Sequence, residues 1–269
     1  MGDNINNGLF KNLNGLGFEN LDNISIYESR EEKNDSRQKE FKNLQQNLEQ
    51  YVFERKVECP VCYKHITVPA VKSSAIRVVS KDTDFMTYYQ DPNPTFYDVW
   101  FCKLCGYAAV SNKFSIISDT QKKLIRENIS SKWKFNKKYP VVFDADTAIE
   151  THQLALLNSV VKLGRDNEKA LLCLRLGWLY RLKGDEENEK RYLANALMGF
   201  TNSFLKDSIT VPGLDEAATQ YLIGELYRRT GDNSNALQWF GRVLSDRNAK
   251  EKIKSMTRDQ KDIILALNK

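Results

Sequence analysis

Two short stretches carry the chemistry most easily read from this chain. "CPVC" begins at Cys59 and "CKLC" at Cys102, so four thiols stand in two Cys-Xaa-Xaa-Cys pairs about 40 residues apart. Each pair presents two sulfurs on one tight turn, and two such turns facing each other supply the four thiolates of a tetrahedral Zn²⁺. Cys59, Cys62, Cys102 and Cys105 are therefore the expected ligands of a structural Zn²⁺. A site closed by four sulfurs holds a fold rather than activating water. Thiol exchange is the rival use of one such pair, and an iron–sulfur cluster is the rival occupant of four thiolates. His65 follows Cys62 by three residues, but four cysteines complete the site without it. Cys173, on an apolar helical face, reads as core.

The elements around the hooks must position these sulfurs. Between them, "SAIRVVS" and "FYDVWF" are rich in β-branched and aromatic residues, and "QDPNP" is dense in turn formers, so short strands are expected. Each hook should sit at a hairpin turn. Gly106, directly after Cys105, suits a turn whose backbone approaches sulfur closely.

Upstream, residues 1–34 are rich in Asn, Gly and acidic residues and read as a flexible arm. From Asp35 or Ser36 the pattern changes. Phe41, Leu44, Leu48, Tyr51 and Val52 fall at helical spacing, which predicts a helix leading into the first hook. Residues 35–118 thus form a leading helix and a zinc-ribbon-like module, and 119–269 a helical domain.

In that helical domain, "TAIE" from Thr147 reads as a capping box with Gly164 closing its helix, and "TRDQ" from Thr257 reads as the start of a last helix. Between them, "LGWLYRLKGD" from Leu176 and "IGELYRRTGD" from Ile223 share Gly-Xaa-Xaa-Tyr-Xaa-Xaa-Xaa-Gly-Asp. This is the first helix and turn of a tetratricopeptide (TPR) repeat, whose small residue lets two helices approach. The second copy continues with Ala236 and Phe240, whereas the first has Glu189 where the small residue belongs. The echo recurs after 47 residues, against about 34 in a regular array. Six helices, near 147–163, 167–183, 186–205, 215–230, 233–246 and 257–268, are expected as three hairpins. The fold class is α+β and mostly helical, a small zinc-ribbon-like β module followed by a TPR-like hairpin array.

Composition limits the function classes. The chain has 269 residues, five cysteines and a net charge of +5. Five cysteines in this arrangement do not make a disulfide framework, and the start lacks an apolar export segment, so a cytoplasmic protein is expected. No run of about 18 apolar residues occurs, so no membrane span is expected. Residues 1–40 hold five Lys/Arg and eight Asp/Glu, whereas Lys113 to Lys138 hold eight basic and two acidic residues. Such a stretch suits a phosphate backbone or an acidic partner, although a solvated helix face is its commoner use.

A wider pattern joins these signals. "KDTDF" from Lys81, "NP" at Asn93 and Pro94, Tyr97 close behind, and a second hook that continues as "CGYAA" resemble the uncharacterised bacterial family DUF2225 across roughly residues 55–250. The resemblance implies metal ligands at Cys59, Cys62, Cys102 and Cys105, followed by TPR-like helices. It draws notice to Asp82, Asp84, Phe85, Asn93, Pro94 and Tyr97. Lys103 stands where a Pro is frequent in the family, a change that leaves ligation intact. The family carries no established activity.

Three functions fit these residues. In the first, the protein is an adaptor that holds a protein or peptide on its helical repeats. The repeat register sends Leu174, Trp178 and Arg181, then Tyr221, Glu225 and Arg228, toward the concave side, where Trp and Arg serve as anchors. In the second, the ribbon and the Lys113–Lys138 stretch bind nucleic acid, with Trp133 and Phe135 as stacking faces. The third is an enzyme using Asp82, Asp84, Asn93 and Tyr97, disfavoured because a four-cysteine site offers no open coordination position. On the blander alternative, Asp82 caps a turn and Asp84 bonds backbone donors.

Overall fold

The structure is a computed structural model that describes residues 48–267; the proposed arm and the first turns of the proposed leading helix lie outside the described residues. Three antiparallel hairpins come first. β1 (Val52–Glu58) pairs with β2 (His65–Val71) in a register running from Val52 opposite Val71 to Glu58 opposite His65. Along β2 the alternation is plain: Ile66 and Val68 are buried while His65 and Thr67 face out. β3 (Arg77–Lys81) pairs with β4 (Thr87–Gln90) across a register shift between Val78 and Ser80. β5 (Val99–Phe101) pairs with β6 (Ala108–Val110). Each cysteine hook forms the turn of a hairpin, as expected.

The entry to the first hook is a correction. Leu48 and Glu49 are helical, Tyr51 lies in a turn and Val52 opens β1, so the expected leading helix stops short of Tyr51 and a strand runs on into Cys59. The stretch "VFERKVE" gains its ladder from β2, and that tertiary partner overrides the helical spacing that runs in from upstream.

Seven helices follow: α1 (Asp119–Asn128), α2 (Ala145–Val161), α3 (Asp166–Leu182), α4 (Glu186–Asp207), α5 (Glu216–Thr230), α6 (Asn233–Ser245) and α7 (Glu251–Leu267). Ser118 and Gln121 form a capping box on α1. The cap of α2 is Asp144, whose Oδ1 accepts from the Thr147 amide at 2.8 Å, so Thr147 lies inside the helix rather than capping it. Past the end of α2, Leu163 takes the left-handed conformation (φ 54°), and the Gly164 amide donates to Ser159 O at 2.8 Å. α7 begins six residues before Thr257. Burial of Ile253 against α5 and α6 holds that first turn, and the buried Thr257 hydroxyl donates to Ile253 O at 2.7 Å instead of capping.

The repeated Gly-Asp pairs have one job each. Gly184 (φ 70°) and Gly231 (φ 97°) take left-handed turns between α3 and α4 and between α5 and α6. Asp185 and Asp232 then cap the following helices, accepting from the Asn188 and Asn235 amides at 3.0 Å. Inside the hairpins, a Cβ on Gly177 would lie 2.7 Å from Leu193, and one on Gly224 the same distance from Phe240. The missing side chains let the helices pack this closely.

Between α1 and α2 the chain runs extended as a strap. Trp133, Phe135 and Tyr139 are half-buried while Lys132, Lys134, Lys137 and Lys138 face out. The inner rings form a ladder with Phe143, consecutive centroids lying 5.6–5.9 Å apart. Phe101 of β5 adds to it, packing on both Phe135 and Tyr139. One core cluster joins the cysteine hairpins to α1, a second lays β5 and β6 on α2 and α3, and the largest fills α3 to α6.

Candidate functional site: a four-cysteine cluster and an occupied helical groove

The two hooks have the same backbone. In the first, the Tyr63 amide donates to Cys59 O (2.8 Å) and the Cys59 amide to Lys64 O (3.0 Å). In the second, Gly106 donates to Cys102 O (2.9 Å) and Cys102 to Tyr107 O (2.7 Å). The residue after the second cysteine is left-handed in both, Tyr63 at φ 58° and Gly106 at φ 75°. Only Gly106 is roofed: a Cβ there would lie 2.6 Å from the Trp133 ring. The Tyr63 side chain projects outward between Lys122 and Arg126, whose cationic groups lie 5.6 and 5.5 Å from its ring.

The carbonyls of the hooks are held by other elements. Arg126 of α1 donates twice to Val61 O (3.0 and 2.7 Å), and Ser130 donates to Cys105 O (2.8 Å). The Trp133 indole donates to Lys103 O (2.9 Å), and Asn158 of α2 to Gly106 O (3.0 Å).

This frame brings the four sulfurs within 4.8 Å of one another, with Cys59 3.6 Å from Cys105 and Cys62 3.7 Å from Cys102. A disulfide needs about 2.05 Å. A tetrahedron with metal–sulfur bonds of about 2.3 Å has edges near 3.8 Å, so the cluster fits a tetrahedral metal. Each sulfur of these two pairs stands within hydrogen-bond reach of its partner, and the neighbouring thiols Cys105 and Cys59 hold the Cys102 thiol well below the usual range. A dication takes the place of the thiol protons. His65 is exposed on β2 and outside the cluster, and Cys173 is buried in the helical core.

The second site was only half visible in the sequence. Of the residues expected on the concave side, Trp178, Arg181, Tyr221 and Glu225 meet one segment in a groove between α3 and α5, Arg228 bonds only Glu225, and Leu174 is buried among apolar neighbours. The groove is occupied by the chain's own β3–β4 tip, the Asp82–Phe85 segment of the "KDTDF" motif. Arg181 grips Asp84 in bidentate fashion (2.6 and 3.1 Å) and reaches Asp82 at 2.8 Å. The Trp178 indole donates to Asp84 at 3.0 Å. The Tyr221 hydroxyl donates to the Thr83 carbonyl at 2.8 Å, and the Thr83 hydroxyl donates to Glu225 at 2.5 Å. Phe85, left-handed at φ 67°, packs its ring 5.5 Å from that of Tyr221.

Two residues of this network were missed or misjudged. Arg229 donates to Asp82 (2.5 Å), to the Thr83 hydroxyl (2.8 Å) and to Glu225 (2.7 Å), whereas Arg228 bonds Glu225 alone at 2.7 Å. Its spacing of four from Glu225 was the available signal. Glu189, the departure from the repeat pattern, accepts from Arg181 Nε at 2.7 Å and thereby fixes the guanidinium plane.

Electrostatics follow from this count. Four carboxylates, Asp82, Asp84, Glu189 and Glu225, meet three guanidiniums, Arg181, Arg228 and Arg229. Burial works against the charge of Arg181, but the hydrogen bonds and charge of Asp84, then those of Glu189, raise its pKa further. Burial likewise opposes ionisation of Asp82. The Thr83 amide, then Arg229 and Arg181, outweigh it and hold the carboxyl below its usual range. The turn chemistry is there too: Asp82 accepts from Thr83 N (2.7 Å) and Asp84 from Met86 N (3.2 Å).

The remaining motif residues brace the junction. Asn93 accepts from Thr95 N at 2.9 Å and caps a short turn over Pro94–Tyr97. The Tyr97 hydroxyl accepts from Phe143 N at 2.8 Å beneath stacked rings. Asp82 and Asp84 thus lie in the groove, apart from this brace. In the basic stretch, Lys122, Lys123 and Lys137 pair with Asp119, Glu127 and Glu150. Lys132, Lys134 and Lys138 make no ion pair with the described residues.

The sequence model of a family described as "Uncharacterized protein conserved in bacteria (DUF2225)" matches residues 52–264. No curated protein and no solved structure matches the chain. Among the described residues no helix is long and apolar enough to cross a membrane.

Proposed function

The chain belongs to the bacterial family DUF2225, and from that premise we propose that it is a cytoplasmic, zinc-binding adaptor whose TPR-like helices hold a protein or peptide partner. Cys59, Cys62, Cys102 and Cys105 would carry one structural Zn²⁺, whose part is to fix the two hooks together; all-sulfur donors at tetrahedral spacing favour that ion. Trp178, Arg181, Tyr221, Glu225 and Arg228 would form the partner-binding surface, joined by Arg229.

One observation carries this reading. The groove between α3 and α5 already grips a peptide segment, through a backbone carbonyl, two carboxylates and an aromatic ring. A surface that meets main chain, charge and ring together has the chemistry to take a peptide from a partner, which supports this reading. The nucleic-acid alternative has less to use, because Trp133 and Phe135 turn inward on the strap and leave the unpaired lysines as its contacts. Affinity capture with the full chain from its own cell lysate at two salt concentrations separates the readings. A protein that stays bound at high salt and is lost on changing Arg181 and Arg228 to Gln supports the adaptor. Nucleic acid released by salt, or a protein indifferent to both arginines, rejects it.

A further inference from the structure

The groove's present occupant defines what else it can take. The β3–β4 hairpin is an arm that meets the helices at its tip. β3 is exposed along its whole length, with Val78 and Val79 at 56% and 69%, whereas Asp84 and Met86 at the tip are buried. The contacts made by the tip are those of a short linear ligand: two carboxylates on Arg181 and Arg229, a carbonyl on Tyr221, a ring beside Tyr221. The covalent link supplies the tip at an effective concentration on the order of millimolar. A ligand from another molecule therefore meets the groove only in the fraction of chains whose tip is out.

We propose that the α3–α5 groove is a receptor for an acidic turn of the form Asp-Xaa-Asp-aromatic, that Asp82–Phe85 holds it in cis, and that a partner protein displaces this tip with a segment of the same chemistry. The inference rests on the adaptor reading and names its partner's recognition element. It also gives the basic residues of the groove one role in both states, since Arg181 and Arg229 need a carboxylate partner whenever they are buried.

The test uses the full metal-loaded chain and a fluorescent synthetic peptide of residues 79–88. Four proteins are titrated: the wild type, the Asp82→Asn/Asp84→Asn variant, and each of these with Arg181→Gln. The carboxamide variant should bind the peptide at least tenfold more tightly than the wild type, and Arg181→Gln should remove binding from both. A carboxamide variant that retains its helical circular dichroism and metal content yet binds no better than the wild type overturns the proposal. If that variant does not fold, amide hydrogen exchange of the wild type decides. Saturating peptide should expose the chain's own amides at 82–86, and unchanged protection there refutes displacement. Should displacement fail while partner capture still depends on Arg181, the adaptor reading stands and only this recognition element is lost.

Discussion

One insert is anchored in two different ways. Its ends, at Cys62 and Cys102, are held by sulfurs 3.7 Å apart, and its middle, at Asp82–Phe85, is held by Arg181 and Arg229 from helices 97 to 147 residues further on. The cysteine anchor is short-range: two hairpin turns bring its sulfurs together, and Arg126, Ser130, Trp133 and Asn158 hold the hook carbonyls from α1, the strap and α2. The ionic anchor is distant and conditional. It exists only when α3 and α5 stand side by side, so it registers the β hairpins against the helical array. A metal bound by the four sulfurs would tie the hooks to each other; the buried ion network ties the β3–β4 tip to the helices and contributes less net stability.

The largest expected effect breaks the first anchor. Cys59→Ser or Cys105→Ser should release the metal and unfold the cysteine hairpins, since metal binding of this type is worth roughly 10–16 kcal/mol in small zinc modules. Metal content and near-ultraviolet circular dichroism check this. A variant that keeps one metal per chain would show that three sulfurs suffice.

Next comes the second anchor. Arg181→Met leaves the fully buried Asp84 carboxylate without its main partner and should destabilise by about 3–5 kcal/mol in urea unfolding. Replacing Arg181 and Asp84 together by apolar residues should recover much of that loss. Acid should act in the same direction. The Asp82 carboxyl is held below its unfolded value, so its contribution is complete above about pH 4 and is lost as pH falls through the folded value. His152 adds a second acid-sensitive term at the α2–α3 contact. Burial, and then the Arg175 charge, lower its pKa to about 3, so stability falls as pH drops from about 6.5 toward 3, by roughly 3–6 kcal/mol in all. In the Asp82→Asn variant the loss below pH 4 should shrink and the loss above it should remain.

The smallest effects compare the two hooks with each other. Gly106→Ala forces a side chain into a left-handed position and against Trp133, and should cost about 1–3 kcal/mol in thermal unfolding. Tyr63→Gly, at the matching place, relieves the same backbone but removes the ring between Lys122 and Arg126, so it should change stability by less than about 1 kcal/mol. Equal losses at both sites would mean that the roof over Gly106 has no role.

What could be seen in the sequence follows the same division. The hooks, the Gly-Asp turns and the glycines at 177 and 224 are local codes, each legible in fewer than a dozen residues. Arg181 and Asp84 meet across 97 residues, and no periodicity announces such a pairing. The sequence showed that Trp178, Arg181 and Tyr221 share a face and that "KDTDF" is a motif; only packing reveals that one is the ligand of the other. The start of β1 is hidden because the apolar spacing of Phe41, Leu44 and Leu48 runs on to Tyr51 and Val52, while the strand that pairs with β1 comes later. Asp144 was passed over for Thr147 because "TAIE" offers a complete capping box, yet burial of Thr147 draws the helix start earlier. Glu189 looked like a decayed repeat residue until Arg181 supplied its reason.

The two-anchor account is tested most directly by amide hydrogen exchange on the metal-loaded Arg181→Gln chain. The account predicts that protection is lost at Asp82, Phe85 and Met86, whose amides close the tip, and retained at Cys59, Tyr63, Cys102 and Gly106, whose amides close the hooks. Loss of protection at both places together, or at neither, would contradict it.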